Sequence, residues 1–345
     1  MNQVSTAGAP PAVAEPGDAT PAGRHGRLRG LAERNALLAL LIVIGGFFSV
    51  YPGSAEMFFT PENLSVLLGN QAVVALLALA VLLPLVSNYF DFSLGAIAAT
   101  STVLSAGLMS RNGAPLWLAI LAGVLLGGAI GFVNGLLVTR FRLNSFVATL
   151  GMATLLGGVV QWYTGGQTII TGISDGLIDF GSATWLGLPR VVYVVVVVAA
   201  VLWYVLVHTP FGRTLYAIGA NPRSAKLLGI PADRNVHLSF VLAGLIAGVV
   251  GVLQLARTGG ATADSGTSIL FPALAAAFLG ATAVRPGFFN VVGTLIGVLL
   301  VSVSVSGLTL AGASAWVSPV FNGAALLVAV GLSSYLGRHR GVAAQ

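Results

Sequence analysis

The chain has 345 residues, of which 56% are hydrophobic and only 8% charged, and its mean hydropathy is +0.94. Soluble proteins carry about 25% charged residues, so a water-facing globule of this size would lack the polar surface to cover itself, and the solvent must be lipid. Cysteine is absent, which excludes disulfides, thiolate metal sites and cysteine nucleophiles, and the net charge of +6 reports inner loops of a membrane protein rather than nucleic-acid binding.

Residues 1–34 are rich in Ala, Pro and Gly and close with Arg24, Arg27, Arg29 and Arg34. They hold too little apolar side chain to fold alone and read as a disordered inner tail. Beyond them, spanning the hydrocarbon as a helix takes about 20 apolar residues. Ten segments approach that length: 36–51, 63–86, 93–110, 115–139, 144–164, 191–208, 236–256, 269–284, 288–310 and 315–336. The valine run around Tyr193 to Val201 would suggest a strand in water, but in lipid an isolated strand leaves its backbone unpaired, so a helix is expected. The expected fold is all-α and polytopic, with a membrane domain over 35–338 and a short tail over 339–345.

Orientation follows from the positive charges. With the N-terminus inside, the inner side carries the four tail arginines, Arg140, Arg142, Arg213, Arg223, Lys226, Arg234, Arg285, Arg338 and Arg340. The outer side has Arg111, Arg190 and Arg257 only. Ten spans return the C-terminus to the inside. The fourth and ninth spans share a glycine-rich apolar frame, and a five-span offset makes an inverted repeat, the arrangement of many transporters.

No span carries Asp, Glu, Lys or Arg near its middle. Ion-coupled carriers usually keep ionisable groups there, so this pattern fits a machine whose energy arrives from another subunit. The polar groups that remain are Asn70, Gln71, Asn134, Gln161, Gln254, Ser302, Ser304, Ser306 and Asn322. Such groups either hand hydrogen bonds to a hydroxylated solute or join helices together. The third span is preceded by LPLVSNYFDFSLG and the eighth by TADSGTSILFP, five spans apart. Each joins an acid (Asp91, Asp264) to hydroxyls (Ser93; Ser265, Thr267, Ser268) at the start of a shorter apolar run, as N-cap or as polar binding end.

The stretch between the sixth and seventh spans reads HTPFGRTLYAIGANPRSAKLLGIPADRNVHLSFVLAGLIAG. From Arg213 to Gly229 it reads as a short amphipathic helix ended by glycine and Pro231. The run Gly-Arg-Thr-Leu-Tyr-Ala-Ile-Gly-Ala-Asn, followed by Ala-Lys-Leu-Leu-Gly-Ile, resembles the signature of the ABC permeases that import ribose, xylose, arabinose and galactose. The resemblance covers about residues 60 to 336 and includes the ten-span layout, the inner termini and an Asp-Leu-Ser-like motif, for which FDFSLG stands in. It implies that loop 209–235 docks into a separate ATPase through Gly212, Arg213, Tyr216, Gly219, Asn221, Ala225, Gly229 and Ile230. The chain itself has no G-x-x-x-x-G-K-[ST] motif, and its only lysine, Lys226, is followed by Leu227.

Two departures from the family touch the solute path. Ser87-Asn88-Tyr89-Phe90 stand where the family carries Gly-Gly before the Asp motif, and Leu270-Phe271-Pro272 replace its Glu-Leu pair. The path residues are therefore expected among Asn70, Gln71, Asp91, Ser93, Asn134, Gln254, Phe271 and Asn322. The leading expectation is a non-enzymatic permease subunit of an ATP-driven importer in the bacterial inner membrane, carrying a monosaccharide or related polyol. It needs no cofactor, metal or nucleic acid. Its partners would be an ABC ATPase, a periplasmic solute-binding protein and a second permease copy, identical or similar. The same machine carrying nucleosides or branched-chain amino acids is the neighbouring reading. An ATP-independent secondary transporter is the distant one.

Overall fold

The computed structural model describes residues 24–342. Its helices are α1 (Arg24–Val50), α2 (Ala55–Phe58), α3 (Pro61–Val86), α4 (Leu94–Asn112), α5 (Leu116–Thr139), α6 (Ser145–Thr164) and α7 (Asp175–Ser182). After a two-stranded hairpin of β1 (Thr184–Trp185) and β2 (Leu188–Pro189) come α8 (Arg190–His208), α9 (Pro210–Ala220), α10 (Pro222–Leu227) and α11 (Ala232–Thr258). The chain ends with α12 (Thr267–Gly280), α13 (Val291–Leu310) and α14 (Val317–Val342). Among the described residues, α3, α5, α6, α8, α11 and α13 are long and apolar enough to cross a membrane, while α1, α12 and α14 carry shorter apolar stretches. The protein is a polytopic, all-α membrane protein, with the small hairpin as its one sheet among those residues.

Each of the ten apolar segments expected from sequence overlaps one helix, the third being the less apolar α4. The first helix starts at Arg24, so residues 24–34 continue it rather than stand apart. The remaining tail residues, 1–23 and 343–345, lie outside the described part of the chain. The eighth segment stops at Gly280 instead of running to 284, because the chain turns back there: the Gly287 N–H bonds to the Ala281 carbonyl, with Gly287 at φ +86°.

α3 forms the centre. From Ala72 to Val86 every residue is buried, so this helix is apolar all round and is wrapped by α4, α8, α11, α12 and α13. α5 and α11 meet through small residues: Gly127 and Gly131 on one helix face Gly244 and the Phe240 carbonyl on the other with no room for a Cβ between them. In lipid, where apolar burial does not drive helices together, this close backbone approach is the source of contact energy.

The pairings repeat. α4 packs on α5 and α6 as α12 packs on α13 and α14, and α11 contacts α4 and α5 as α3 contacts α12 and α13. At the centre of this arrangement the starts of α4 and α12 abut. A Cβ on Gly95 would lie 2.6 Å from the Gly266 carbonyl oxygen. The two interrupted segments singled out in the sequence are therefore neighbours.

Candidate functional site

Asn70 and Gln71 sit in the third turn of α3, Gln254 and Arg257 near the end of α11, and Asn322 in α14. Four of the eight expected path residues, Asn70, Gln71, Gln254 and Asn322, converge here. With Arg257 they border a cavity of about 290 Å³, which is small even for a small-molecule site. Its other polar walls are Thr258 and Ser268. Arg257 is held at two points: Nη2 donates to Asn70 Oδ1 at 2.7 Å, and Nη1 donates to the Gly181 carbonyl of α7 at 2.8 Å. Gly69 makes the seat, since a Cβ there would lie 2.9 Å from the guanidinium carbon. Arg257 Nε and Asn322 Oδ1 have no partner, and no acid lies in ion-pair range of Arg257 among the described residues. Those two atoms are themselves enclosed, and the walls as a whole carry amides, hydroxyls and a guanidinium with no carboxylate, a chemistry suited to neutral hydroxyl groups.

Asp91, Ser93 and Asn134 form a second cluster, buried at the start of α4. Asp91 Oδ1 accepts from the Ser93 N–H at 2.9 Å and from its hydroxyl at 2.6 Å, and Asn134 Nδ2 donates to Ser93 Oγ at 2.7 Å. Asp91 Oδ2 and Asn134 Oδ1 lack partners. Ser93 occupies the N-cap position without capping, because its hydroxyl is turned to Asp91. Ser268 lies beyond the N-cap of α12, which is Gly266, and donates to the Ser265 carbonyl. Phe271 belongs to neither group and is 52% exposed on the outside of α12. Ser302 and Ser304 bond back to the carbonyls of Val298 and Leu300 within α13.

The segment between α8 and α11 is two short helices joined by a cap. Thr209 Oγ1 accepts from the Gly212 N–H to start α9, and Asn221 Oδ1 accepts from the N–H groups of Arg223 and Ser224 to start α10. Of the expected coupling residues, Gly212, Tyr216, Gly219 and Ala225 are turned to the bundle. Gly212 lies against the Leu206 backbone, Gly219 against the Val86 carbonyl, and the Tyr216 hydroxyl donates to the Phe289 carbonyl at 2.7 Å. Arg213, Asn221 and Gly229 are exposed, and Ile230 is half-buried. The outward face also carries two residues that sequence reasoning missed, Leu227 and Leu228, at 89% and 80% exposure, with Arg223 and Lys226 beside them. The signal for them was present: two leucines at the end of a six-residue helix that is too short to bury both.

Comparison with known proteins decides the family. A family model described as the permease component of the branched-chain amino acid transport system matches residues 63–330. The chain belongs to this family of transport permeases. It is similar to the ribose import permease protein RbsC of Escherichia coli K12, at 34% identity over 306 residues, covering 87% of this chain and 93% of that one. It is 36% identical to RbsC of Bacillus subtilis over 274 residues (79% and 85%). The L-arabinose ABC transporter permease protein AraH of Azospirillum brasilense is 28% identical over 315 residues (91% of each). In this permease the polar cavity and the α9–α10 face lie toward opposite ends of α3: Asn70 and Val86 are 16 residues apart, about 24 Å along the helix.

Proposed function

We propose that this permease is the membrane-spanning subunit of an ATP-driven importer of a monosaccharide or related polyol. The observation that carries the reading is the convergence of Asn70, Gln71, Gln254, Arg257 and Asn322 on one charge-poor polar cavity. Amides, hydroxyls and a guanidinium with spare hydrogen-bonding capacity serve a solute dense in hydroxyls, and the names of the relatives supply the class, ribose, allose and arabinose.

Ten helices cross the inner membrane with both termini in the cytoplasm, and they fall into two inverted five-helix repeats. The recurring pairings of α4, α5 and α6 with those of α12, α13 and α14 support this. That orientation puts α9 and α10 in the cytoplasm and the polar cavity toward the periplasm. Leu227 and Leu228, exposed and flanked by Arg223 and Lys226, form the knob that seats in an ATPase; a groove complementary to this knob is apolar and rimmed by carboxylates. A periplasmic binding protein delivers the solute, and a second permease copy completes the path.

The test is reconstitution of the permease with its ATPase and binding protein in proteoliposomes. ATP-dependent accumulation of labelled ribose, allose or arabinose is the expected result. Accumulation of nucleosides or branched-chain amino acids instead would overturn the solute class, and uptake without any ATPase would overturn the machine.

A further inference from the structure

Toward the α9 end of α3 lies a chain of five aromatic rings. Phe146 meets Phe92 edge-on at 5.1 Å, Phe92 stacks on Phe90 at 6.2 Å, Phe90 stacks on Phe278 at 6.3 Å, and Phe278 meets Phe289 edge-on at 5.3 Å. A cavity of about 610 Å³ opens beside them. Helices α12 and α14 contribute different residues to it and to the polar cavity. Asn322 of α14 borders the first, and Leu326 and Val330, four and eight residues on, border the second. Residues at that spacing share a helix face. On α12, Ser268 and Pro272 border the first cavity and Leu274 and Phe278 the second, on a different face, since Pro272 and Leu274 lie about 200° apart around the helix. α14 thus presents one face to both a polar chamber and an aromatic one.

The Phe90–Phe278 stack joins two separate pieces of the fold. Phe90 is on the link between α3 and α4, and Phe278 is near the end of α12, whose following loop carries Phe289. Both pieces are fastened to α9. Asn88, two residues before Phe90 and in the left-handed region at φ +62°, donates Nδ2 to the Gly219 carbonyl at 2.6 Å. Tyr216, one turn before Gly219 on the same helix, donates its hydroxyl to the Phe289 carbonyl at 2.7 Å. Burial pushes the Tyr216 phenol above its ordinary range, partly offset by Arg285, so it remains a donor at physiological pH. Gly219 allows the helix to touch the end of α3, because a Cβ would strike the Val86 carbonyl.

We propose that Phe90 and Phe278 close the inner end of the path as an aromatic gate, and that Asn88 and Tyr216 are the positioning residues through which α9 moves its two walls. This rests on the permease reading above. A stacked pair is worth about 0.5–1.5 kcal/mol beyond its buried area, a barrier small enough for a docked motor to open. Phe90 is 36% exposed and Phe278 8%, so one ring of the pair borders open space while the other is seated in the bundle.

The experiment uses the full transporter in proteoliposomes. Asn88→Ala and Tyr216→Phe are expected to leave ATPase association and hydrolysis intact while solute moved per ATP falls about tenfold, the ratio that loss of one ordinary hydrogen bond implies. Unchanged solute per ATP in both variants overturns the positioning role. A second readout does not depend on the solute. The chain has no cysteine, so Ser268→Cys places a single thiol in the polar cavity. An impermeant thiol reagent applied from the α9 side should label it poorly in the parent and readily in Phe90→Ala/Phe278→Ala. Equal labelling in both overturns the gate. If the parent moves none of the sugars, the transport reading fails while the labelling result still decides the gate.

Discussion

Arg257 of α11 donates to Asn70 of α3 across 187 residues of sequence, and the same guanidinium reaches the Gly181 carbonyl of α7. One side chain thereby joins a central helix to an outer one at the rim of the polar cavity. Arg257→Gln should lower the thermal stability of the detergent-solubilised permease, because hydrogen bonds to charged groups contribute about 1.5–3 kcal/mol each. Uptake should fall with it. Arg257→Lys keeps the charge but loses the fork that serves two acceptors, and is expected to fall between.

Gly69 and Gly229 are predicted to differ sharply. Gly69→Ala puts a methyl group against the guanidinium and should displace Arg257, reproducing much of the Arg257→Gln defect in uptake. Gly229 has φ +74° with open space around it, so Gly229→Ala meets backbone strain alone, about 1 kcal/mol, and assembly should survive.

The exposed leucines lead to a separable prediction. Leu227→Asp/Leu228→Asp removes apolar side chains that touch little within the chain, so membrane insertion and thermal unfolding should match the parent. Co-purification with the ATPase should be lost. Arg213→Glu, reversing a charge on the same outward face, should weaken that association in a salt-dependent way.

Asp91 is a buried carboxylate with one oxygen doubly hydrogen-bonded and the other unpaired. Asp91→Asn preserves the acceptor for Ser93 and removes a buried charge, so thermal stability should be equal or higher. Asp91→Ala strands the Ser93 N–H and hydroxyl and should cost about 1–3 kcal/mol, read in the same unfolding assay.

Much of the architecture was legible because the solvent is lipid. A backbone that must satisfy its own hydrogen bonds reduces each apolar run of sufficient length to a helix, even the valine run of α8. The polar residues were legible as a set but not as groups. Asn70, Gln71, Gln254 and Asn322 lie on three helices far apart in sequence and converge, whereas Asp91, Ser93 and Asn134 close on one another, and Phe271 faces away. Arg257 counted in the sequence only as an outer positive charge; the notch at Gly69 and the carbonyl of Gly181 make it part of a cavity wall.

Hydropathy by itself determined a helical membrane protein, since it is a one-dimensional property on which lipid acts directly, and the Gly-Arg-Thr loop carried the resemblance to permeases. Which amides share a chamber, which face of α9 turns inward and which rings meet were decided only by the tertiary structure. Those relationships depend on how far each helix is rotated about its axis, and in lipid that rotation is set by small-residue contacts between helices rather than by apolar pattern.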